Sequence, residues 1–213
     1  MFTGLIEANC QVKAVRQNSD GVTIVIDLGD IAANTNVGDS IAVNGVCLTV
    51  TELNSRQASF DCHPETLEKS TLSKLRPASF VNIERSMLPT DRFSGHFVQG
   101  HVDGTAKVQA IRHKGNFKEI DFSTSPQLLE QMVEKGSVAV DGISLTIAKL
   151  SPSGFTVAVI PQTWGKTTLN LAKVGDAVNI ETDVIVKAVK THLKKMLQQG
   201  GSLTEDKLKE MGF

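Results

Sequence analysis

The chain has 213 residues, of which 40% are hydrophobic and 21% charged, a composition typical of folded globular proteins. Its formal net charge of -1 at pH 7 gives no electrostatic reason to expect a nucleic acid or an anionic membrane as partner. Because the sequence has neither a run of 18 apolar residues nor a basic leader segment, we expect a cytoplasmic protein. Its three cysteines lack CxxC spacing, which argues against a disulfide framework or a structural zinc site.

The first part of the chain predicts a series of short β-strands. A strand is expected around Val12, and β-branched runs bounded by turn residues predict further strands at 22–27, 40–44, 46–50 and 58–62. The dipeptide Asn44-Gly45 favours a two-residue hairpin turn, since both residues tolerate positive φ. A short helical piece is expected near 65–72, and the Pro- and Gly-containing stretch 87–96 is the natural linker.

The second part of the chain predicts the same series again. A strand is expected around Val108, and strands follow at 118–122, 137–141, 143–147 and 155–159, with Asp141-Gly142 as the hairpin turn. Helical pieces are expected at 126–135, where Pro126 suits a first helical turn, and near 162–169.

An internal repeat underlies this symmetry. GDSIAVNGVCLTV at 38–50 recurs as KGSVAVDGISLTI at 135–147, with six identical residues in 13 positions, and three further blocks recur in the same order. The sequence therefore predicts two homologous all-β units, each a closed barrel with Greek-key or meander connections. The expected domains are 1–86 and 97–183, joined by the linker 87–96.

The tail, 184–213, breaks the β pattern. Apolar residues recur at three- and four-residue spacing from Val184 to Gln199, which predicts an amphipathic helix. Gly200-Gly201 should end it, and Ser202 with Glu205 forms a capping-box pattern for a short last helix. The apolar stripe could pack on the barrels or on a neighbouring subunit, and we favour the neighbour.

Matched positions of the two copies differ in chemistry at several places near the shared glycines. The second copy gains a histidine, a lysine, a hydroxyl and a carboxylate, while the first holds a thiol. The two copies should therefore form similar pockets for similar ligands and treat those ligands differently. The exchanged pairs are Leu5/His101, Gly38/Lys135, Cys47/Ser144 and Ser86/Asp183.

Each of these residues also has an ordinary structural interpretation. A cysteine in an apolar strand is usually a small core residue, and we adopt that interpretation for Cys10 and Cys62. His96 and His101 are five residues apart, which in a strand puts them on opposite faces and makes a joint metal site unattractive. His101 lies close to glycines that let a ligand approach, so it is the better candidate for a polar contact. His63, His113 and His192 are expected to have surface or local hydrogen-bonding roles.

Several motifs together resemble one known family. MFTGLIE, GDSIAVNGVCLTV, PETL, VNIER, GHFVQGHVDG, KGSVAVDGISLTI and VNIETD are similar to the riboflavin synthases that carry two barrels per chain. The resemblance implies two six-stranded closed Greek-key barrels and a C-terminal helix through which a homotrimer assembles. It implies a dismutation of two 6,7-dimethyl-8-ribityllumazine molecules into riboflavin and 5-amino-6-ribitylaminouracil, the last step of riboflavin biosynthesis. No metal or coenzyme is implied, and contact with lumazine synthase is expected.

The resemblance also carries site residues over to matching positions. The polar groups implied in catalysis are Ser40, Cys47, His101, Lys135, Ser144 and Asp183. The first pocket would contain Gly4, Leu5, Ile6, Cys47, Leu48, Thr49, Asp61, Cys62, His63, Pro64, Glu65 and Thr66. The second would contain Gly100, His101, Val102, Lys135, Ser144, Leu145, Thr146, Ala158, Val159, Ile160, Pro161, Gln162 and Thr163.

The competing hypothesis is a non-catalytic lumazine- or flavin-binding accessory protein on the same double barrel. Such proteins tend to lose the polar set of the second pocket. This chain retains Cys47, His101, Lys135, Ser144 and Asp183, which favours the enzyme.

Overall fold

The computed structural model describes residues 1–198 and residue 209, and its first closed barrel has six antiparallel strands. The strands follow one another around the barrel in the order β1-β2-β5-β4-β3-β6. This order joins strands that are distant in sequence, as the Greek-key prediction requires. The strands are β1 Ala8–Asn18, β2 Gly21–Asp27, β3 Ser40–Val43, β4 Val46–Asn54, β5 Gln57–Cys62 and β6 Phe80–Arg85.

The second barrel repeats the first strand for strand, which confirms the predicted double-barrel fold. Its order, β10-β11-β8-β7-β12-β9, is the same ring read in the opposite direction from another starting strand. Each barrel is filled by its own apolar cluster, with Ile24, Ile26 and Phe60 in the first and Ile120 and Phe122 in the second at no more than 1% exposure. The strands are β7 Gly104–Lys114, β8 Phe117–Ser123, β9 Ser137–Val140, β10 Ile143–Ser151, β11 Gly154–Val159 and β12 Ala177–Thr182.

Helical structure is brief except at the end of the described chain. The helices are α1 Pro64–Lys69, α2 Pro126–Leu129, α3 Pro161–Lys166 and α4 Val184–Gln198. The helix predicted over 126–135 was too long, because after Leu129 the backbone tightens into turns in which Met132 N–H bonds the Leu129 carbonyl. The short helix predicted after Ser202 lies outside the described residues. Within residues 1–198, none of the helices combines the length and the apolar character that crossing a membrane requires.

The two hairpin turns meet at the junction of the barrels. Asn44 and Gly45 have φ of 45° and 76°, and Asp141 and Gly142 have φ of 44° and 78°, as the two-residue turn predicts. A Cβ on Gly45 would lie 2.6 Å from the Gly142 nitrogen, so only glycine allows the two turns to pack back to back.

A reciprocal pair of asparagines joins the barrels across these turns. Asn82 donates to the Asp141 carbonyl over 2.9 Å, and its counterpart Asn179 donates to the Asn44 carbonyl over 2.8 Å. Both amides are buried, so each satisfied hydrogen bond also avoids the cost of an unpaired polar group. The barrels are therefore related by an approximate two-fold axis through their turns.

The segments that precede the barrels pair with each other on this axis. Phe2 N–H donates to the Val98 carbonyl over 2.8 Å, and Val98 N–H returns to the Phe2 carbonyl over 3.2 Å. Phe2 and Val98 are buried with Ala42 and Ala139 in a small apolar cluster between the barrels. The segments that precede the two barrels therefore meet in a buried contact, just after the predicted linker 87–96.

Replacing Asp141 with the asparagine that the first copy uses tests the electrostatics of the junction. Burial raises the pKa of Asp141 to about 7 from an ordinary 3.8. The folded protein therefore holds this proton more tightly than the unfolded chain, and wild-type stability falls as the pH rises through this interval. We expect the free energy of unfolding of Asp141→Asn to exceed that of wild type by about 2–4 kcal/mol at pH 8 and to equal it near pH 4. Urea unfolding at pH 4 and pH 8 measures the difference in stability between variant and wild type. The same difference at both pH values would contradict the raised pKa of Asp141.

Candidate functional site

The loop that enters the first barrel lies on the second barrel. Gly4 accepts a hydrogen bond at its carbonyl from the backbone N–H of Ser144, over 2.8 Å. Ile6 packs against the apolar core of the second barrel. Residues 4–6 therefore border the beginning of β10.

The loop that enters the second barrel makes the matching contact with the first. The Gly100 carbonyl accepts a hydrogen bond from the N–H of Cys47 over 2.9 Å, and Val102 packs against the core of the first barrel. Residues 100–102 therefore border the beginning of β4. The two loops exchange places across the approximate two-fold axis.

Close packing at the crossing points requires glycine. A Cβ on Gly4 would lie 2.6 Å from the Ser144 Cβ, and one on Gly100 would lie 2.5 Å from the Cys47 Cβ. Both glycines also have positive φ, 79° and 80°. The backbone of each loop is thus held directly against the residue that differs between the copies.

The crossing corrects the predicted grouping of the pocket segments. The family resemblance groups 4–6 with Cys47 and 100–102 with Ser144, that is, each entry loop with a strand of its own barrel. The structure places each loop on the other barrel, because the outward N–H groups of Cys47 and Ser144 bond the opposite loop's carbonyl. We call the two resulting groups of predicted ligand-binding residues the Cys47 pocket and the Ser144 pocket. The first contains 47–49, 61–66 and 100–102, and the second contains 144–146, 158–163 and 4–6.

The Ser144 hydroxyl has a partner that the sequence analysis did not select. His96 Nδ1 lies 2.7 Å from Ser144 Oγ, and the ring is only 7% exposed. Burial lowers the pKa of His96, while the negative charge of Asp183 acts in the opposite direction. His96 Nε2 is buried and has no hydrogen-bond partner among residues 1–198. A neutral imidazole can accept the hydroxyl proton of Ser144.

No sequence signal could have identified His96 as this partner. It has no counterpart in the first copy and lies 48 residues before Ser144, so only the fold brings the two together. The residue that the sequence favoured, His101, is solvent-exposed at the edge of the Cys47 pocket. The Cys47 side chain itself is half-buried beside it.

Other residues of the two pockets contribute in different ways. Cys62 is 2% exposed, and burial raises the pKa of its thiol to about 12, so only its backbone is available to a ligand. Leu48, Leu145 and Val159 likewise point into the barrel cores. His63 accepts a long hydrogen bond of 3.5 Å from Glu65 N–H at the start of α1, a local capping role.

The remaining three polar candidates lie at or beside strand ends. Ser40 lines a cavity of about 700 Å³ together with Thr3 and Leu5, a volume within the range of small-molecule sites. Lys135 is exposed, has a φ of 66°, and donates from Nζ to the Ala148 carbonyl over 3.0 Å. Asp183 accepts a hydrogen bond from Ile185 N–H over 2.8 Å at the start of α4.

Comparison with known proteins gives one consistent result. The family model of the lumazine binding domain matches residues 3–86 and again 99–183. Riboflavin synthase of Bacillus amyloliquefaciens is 41% identical over 215 aligned positions that cover 100% of both chains. Riboflavin synthase of Mycobacterium bovis is 42% identical over 193 positions, covering 89% of this chain and 96% of that one.

A solved structure shows the same fold. The crystal structure of LumP complexed with riboflavin has a TM-score of 0.80 and covers 85% of this chain and 99% of LumP, at 22% identity. That likeness shows the fold alone, whereas the identities to the two synthases extend over 100% and 89% of the chain. With two lumazine-binding domains and full-length similarity of this degree, the chain belongs to the riboflavin synthase family.

Proposed function

We propose that this chain catalyses the dismutation of two 6,7-dimethyl-8-ribityllumazine molecules. A four-carbon unit passes from one molecule to the other, giving riboflavin and 5-amino-6-ribitylaminouracil. The observation that carries the proposal is the full-length identity of 41% to a riboflavin synthase, on a chain with two similar pockets that differ in their polar groups. We take 1–86 and 97–183 as the two ligand-binding units, joined by 87–96.

The reaction explains why two pockets are similar and yet not equal. Both must bind the same lumazine, but one molecule donates carbon atoms and the other accepts them. The methyl group at position 7 of the ring is acidic because its carbanion is delocalised, and it can attack position 7 of the second molecule. Holding the two rings in the reacting geometry contributes up to ~7–11 kcal/mol to lowering the barrier.

The polar groups of the two pockets supply proton transfers. Ser144, or a water beside it, adds to position 7 of one lumazine, and His96 is placed to accept the hydroxyl proton. His101 and Asp183 are assigned to further proton transfers, and Cys47 to the pocket of the second lumazine. Ser40 and Lys135 complete the polar set at the barrel ends.

A non-catalytic binding protein remains the second candidate function, because LumP shares the fold and was crystallised with riboflavin. Two observations favour the enzyme. Identity to LumP is 22%, against 41% to a riboflavin synthase. The chain also keeps a paired hydroxyl at Ser144, with His96 within hydrogen-bond distance.

Assembly is part of the proposal. On α4, Ile185, Val189 and Leu193 are 55%, 53% and 47% exposed and follow one another at four-residue spacing. An apolar stripe of this kind is typical of a helix that packs against a partner. We propose a cytoplasmic homotrimer in which the first barrel of one subunit faces the second barrel of another, with lumazine synthase as a further contact.

Incubating the purified protein with 6,7-dimethyl-8-ribityllumazine alone tests the proposed reaction. We expect riboflavin to accumulate at one molecule for every two molecules of lumazine consumed, because one substrate serves as both donor and acceptor. Riboflavin absorbance and chromatography of the pyrimidine product measure the ratio. Tight lumazine binding without turnover would reject the enzyme and support the binding protein.

Replacing Ser144 with alanine tests the role of the hydroxyl next to His96. We expect kcat to fall by about 10²-fold or more, the scale of a lost proton-transfer group, while riboflavin affinity stays within a few-fold of wild type. Steady-state kinetics and fluorescence titration separate the two effects. Ser153→Ala, in the exposed turn before β11, is the matched control and should behave as wild type. An Ser144→Ala variant with wild-type kcat would remove Ser144 from the mechanism.

Placing negative charges on the apolar stripe of α4 tests whether this helix mediates assembly. We expect the double variant Val189→Asp and Leu193→Asp to sediment as a monomer and to lose most of its activity, because buried unpaired carboxylates oppose association. Analytical ultracentrifugation measures the mass. Thr191→Asp places the same charge on the helix outside the stripe and should leave the oligomer intact. A fully active monomer would contradict a site shared between subunits.

A further inference from the structure

Two buried carboxylates occupy matching positions in the barrels, and the proposed reaction gives them no role. Glu84 lies near the end of β6 and is 5% exposed, and Glu181 lies near the end of β12 and is 2% exposed. Their positions differ by the repeat offset, within VNIE in both copies. Burying a carboxylate is costly unless hydrogen bonds stabilise it.

Glu84 binds the loop that crosses to the Ser144 pocket. Its Oε1 accepts hydrogen bonds from the N–H and the hydroxyl of Thr3, both over 2.7 Å, and its Oε2 accepts one from Gly4 N–H over 3.0 Å. The next residue is held as well, because Leu5 N–H donates to the Thr3 hydroxyl over 3.3 Å. The carboxylate thus fixes the backbone whose carbonyl bonds Ser144.

Glu181 binds the loop that crosses to the Cys47 pocket. Its two oxygens accept hydrogen bonds from Gln99 N–H over 2.6 Å and from Gly100 N–H over 2.9 Å. The carbonyl of Gly100 bonds Cys47, and the residue after it is His101. Glu181 therefore fixes the backbone that carries His101 into the pocket.

Only a carboxylate satisfies both N–H groups of each loop. A glutamine has one acceptor oxygen, and its amide group would direct N–H against one of the two loop N–H groups. Burial raises the pKa of both carboxyls, and the hydrogen bonds from the loops act in the opposite direction. Lys187 lowers the pKa of Glu181 by its charge, while Asp103 raises it.

We propose that Glu84 and Glu181 are positioning residues, each of which holds the entry loop of its own barrel in the binding pocket of the other barrel. Glu84 positions residues 4–6 in the Ser144 pocket, and Glu181 positions 100–102 in the Cys47 pocket. The inference rests on the proposed function for the identity of the ligand. A substitution of the glutamate in one barrel should therefore weaken riboflavin binding in the pocket on the opposite barrel.

The chain contains a separate reporter for each pocket. Trp164, the one tryptophan of the chain, follows residues 158–163 of the Ser144 pocket on α3. Quenching of its fluorescence by riboflavin measures binding there. Cys47 is half-buried whereas Cys10 and Cys62 are buried, so protection of Cys47 from a small thiol reagent measures riboflavin binding in the other pocket.

The experiment compares Glu84→Gln and Glu181→Gln with wild type, using riboflavin as the probe in the full-length protein. We expect Glu84→Gln to weaken riboflavin binding at the Trp164 reporter at least tenfold and to leave protection of Cys47 unchanged. For Glu181→Gln we expect the reverse. Both variants should also lose at least tenfold in kcat/KM with the lumazine, because the reaction needs both pockets.

Two further sets of variants separate positioning from loss of the fold. Asp141→Asn removes another buried carboxyl at the barrel junction and should leave both reporters unchanged. Where a glutamine variant does not fold, Thr3→Ala, which removes one of the three bonds to Glu84, and Glu181→Asp, which keeps the charge but shortens its reach, take its place. Riboflavin binding of these variants is measured with the same two reporters. We expect it to weaken at the same pocket as in the matching glutamine variant, by a smaller factor.

Three results would overturn the proposal. The first is an equal loss of riboflavin binding at both reporters in a folded variant. The second is a loss of binding only at the pocket on the variant's own barrel, and the third is unchanged binding at both reporters. Failure of the proposed function is distinct from these, because it would show as absent lumazine turnover by wild type. The two reporters follow riboflavin binding and still decide the positioning role in that case.

Discussion

Two backbone hydrogen bonds, from Ser144 N–H to the Gly4 carbonyl and from Cys47 N–H to the Gly100 carbonyl, set the organisation of this molecule. Each bond holds an entry loop of one barrel against a strand of the other. Because the loops cross, each barrel contributes a loop to the predicted pocket residues of the other, and these hydrogen bonds also hold the barrels together. The docking of the barrels therefore depends on residues that we propose to bind ligand, and the close packing there explains the glycines at both crossing points.

Approximate symmetry with local differences suits a reaction between two identical molecules. The barrel junction keeps its symmetry in the Asn82 and Asn179 bonds, which fix how the barrels sit together. The symmetry is broken at Cys47 and Ser144. Of these two residues, only Ser144 has a histidine within hydrogen-bond distance among the described residues. The junction thus fixes the geometry of the barrels, and in the proposed function the pocket residues distinguish the donor lumazine from the acceptor.

Much of the fold could be predicted from the sequence, because its signals are local. Strand patterning, the Asn44-Gly45 and Asp141-Gly142 turns and the repeat were enough to predict two barrels, and the structure confirms them. Contacts between the copies could not be predicted in this way. A repeat is equally compatible with a loop that stays on its own barrel and one that crosses, so the contacts of Gly4 with Ser144 and of Gly100 with Cys47 do not follow from it. His96 was missed for the same reason, since its contact with Ser144 exists only after the barrels have docked.

A crystal structure of the full chain with bound riboflavin tests the crossed arrangement most directly. We expect a ligand in contact with 144–146 to contact 4–6 as well, and a ligand in contact with 47–49 to contact 100–102. A ligand that contacts 47–49 together with 4–6 would contradict the account, because each pocket would then be built within one barrel.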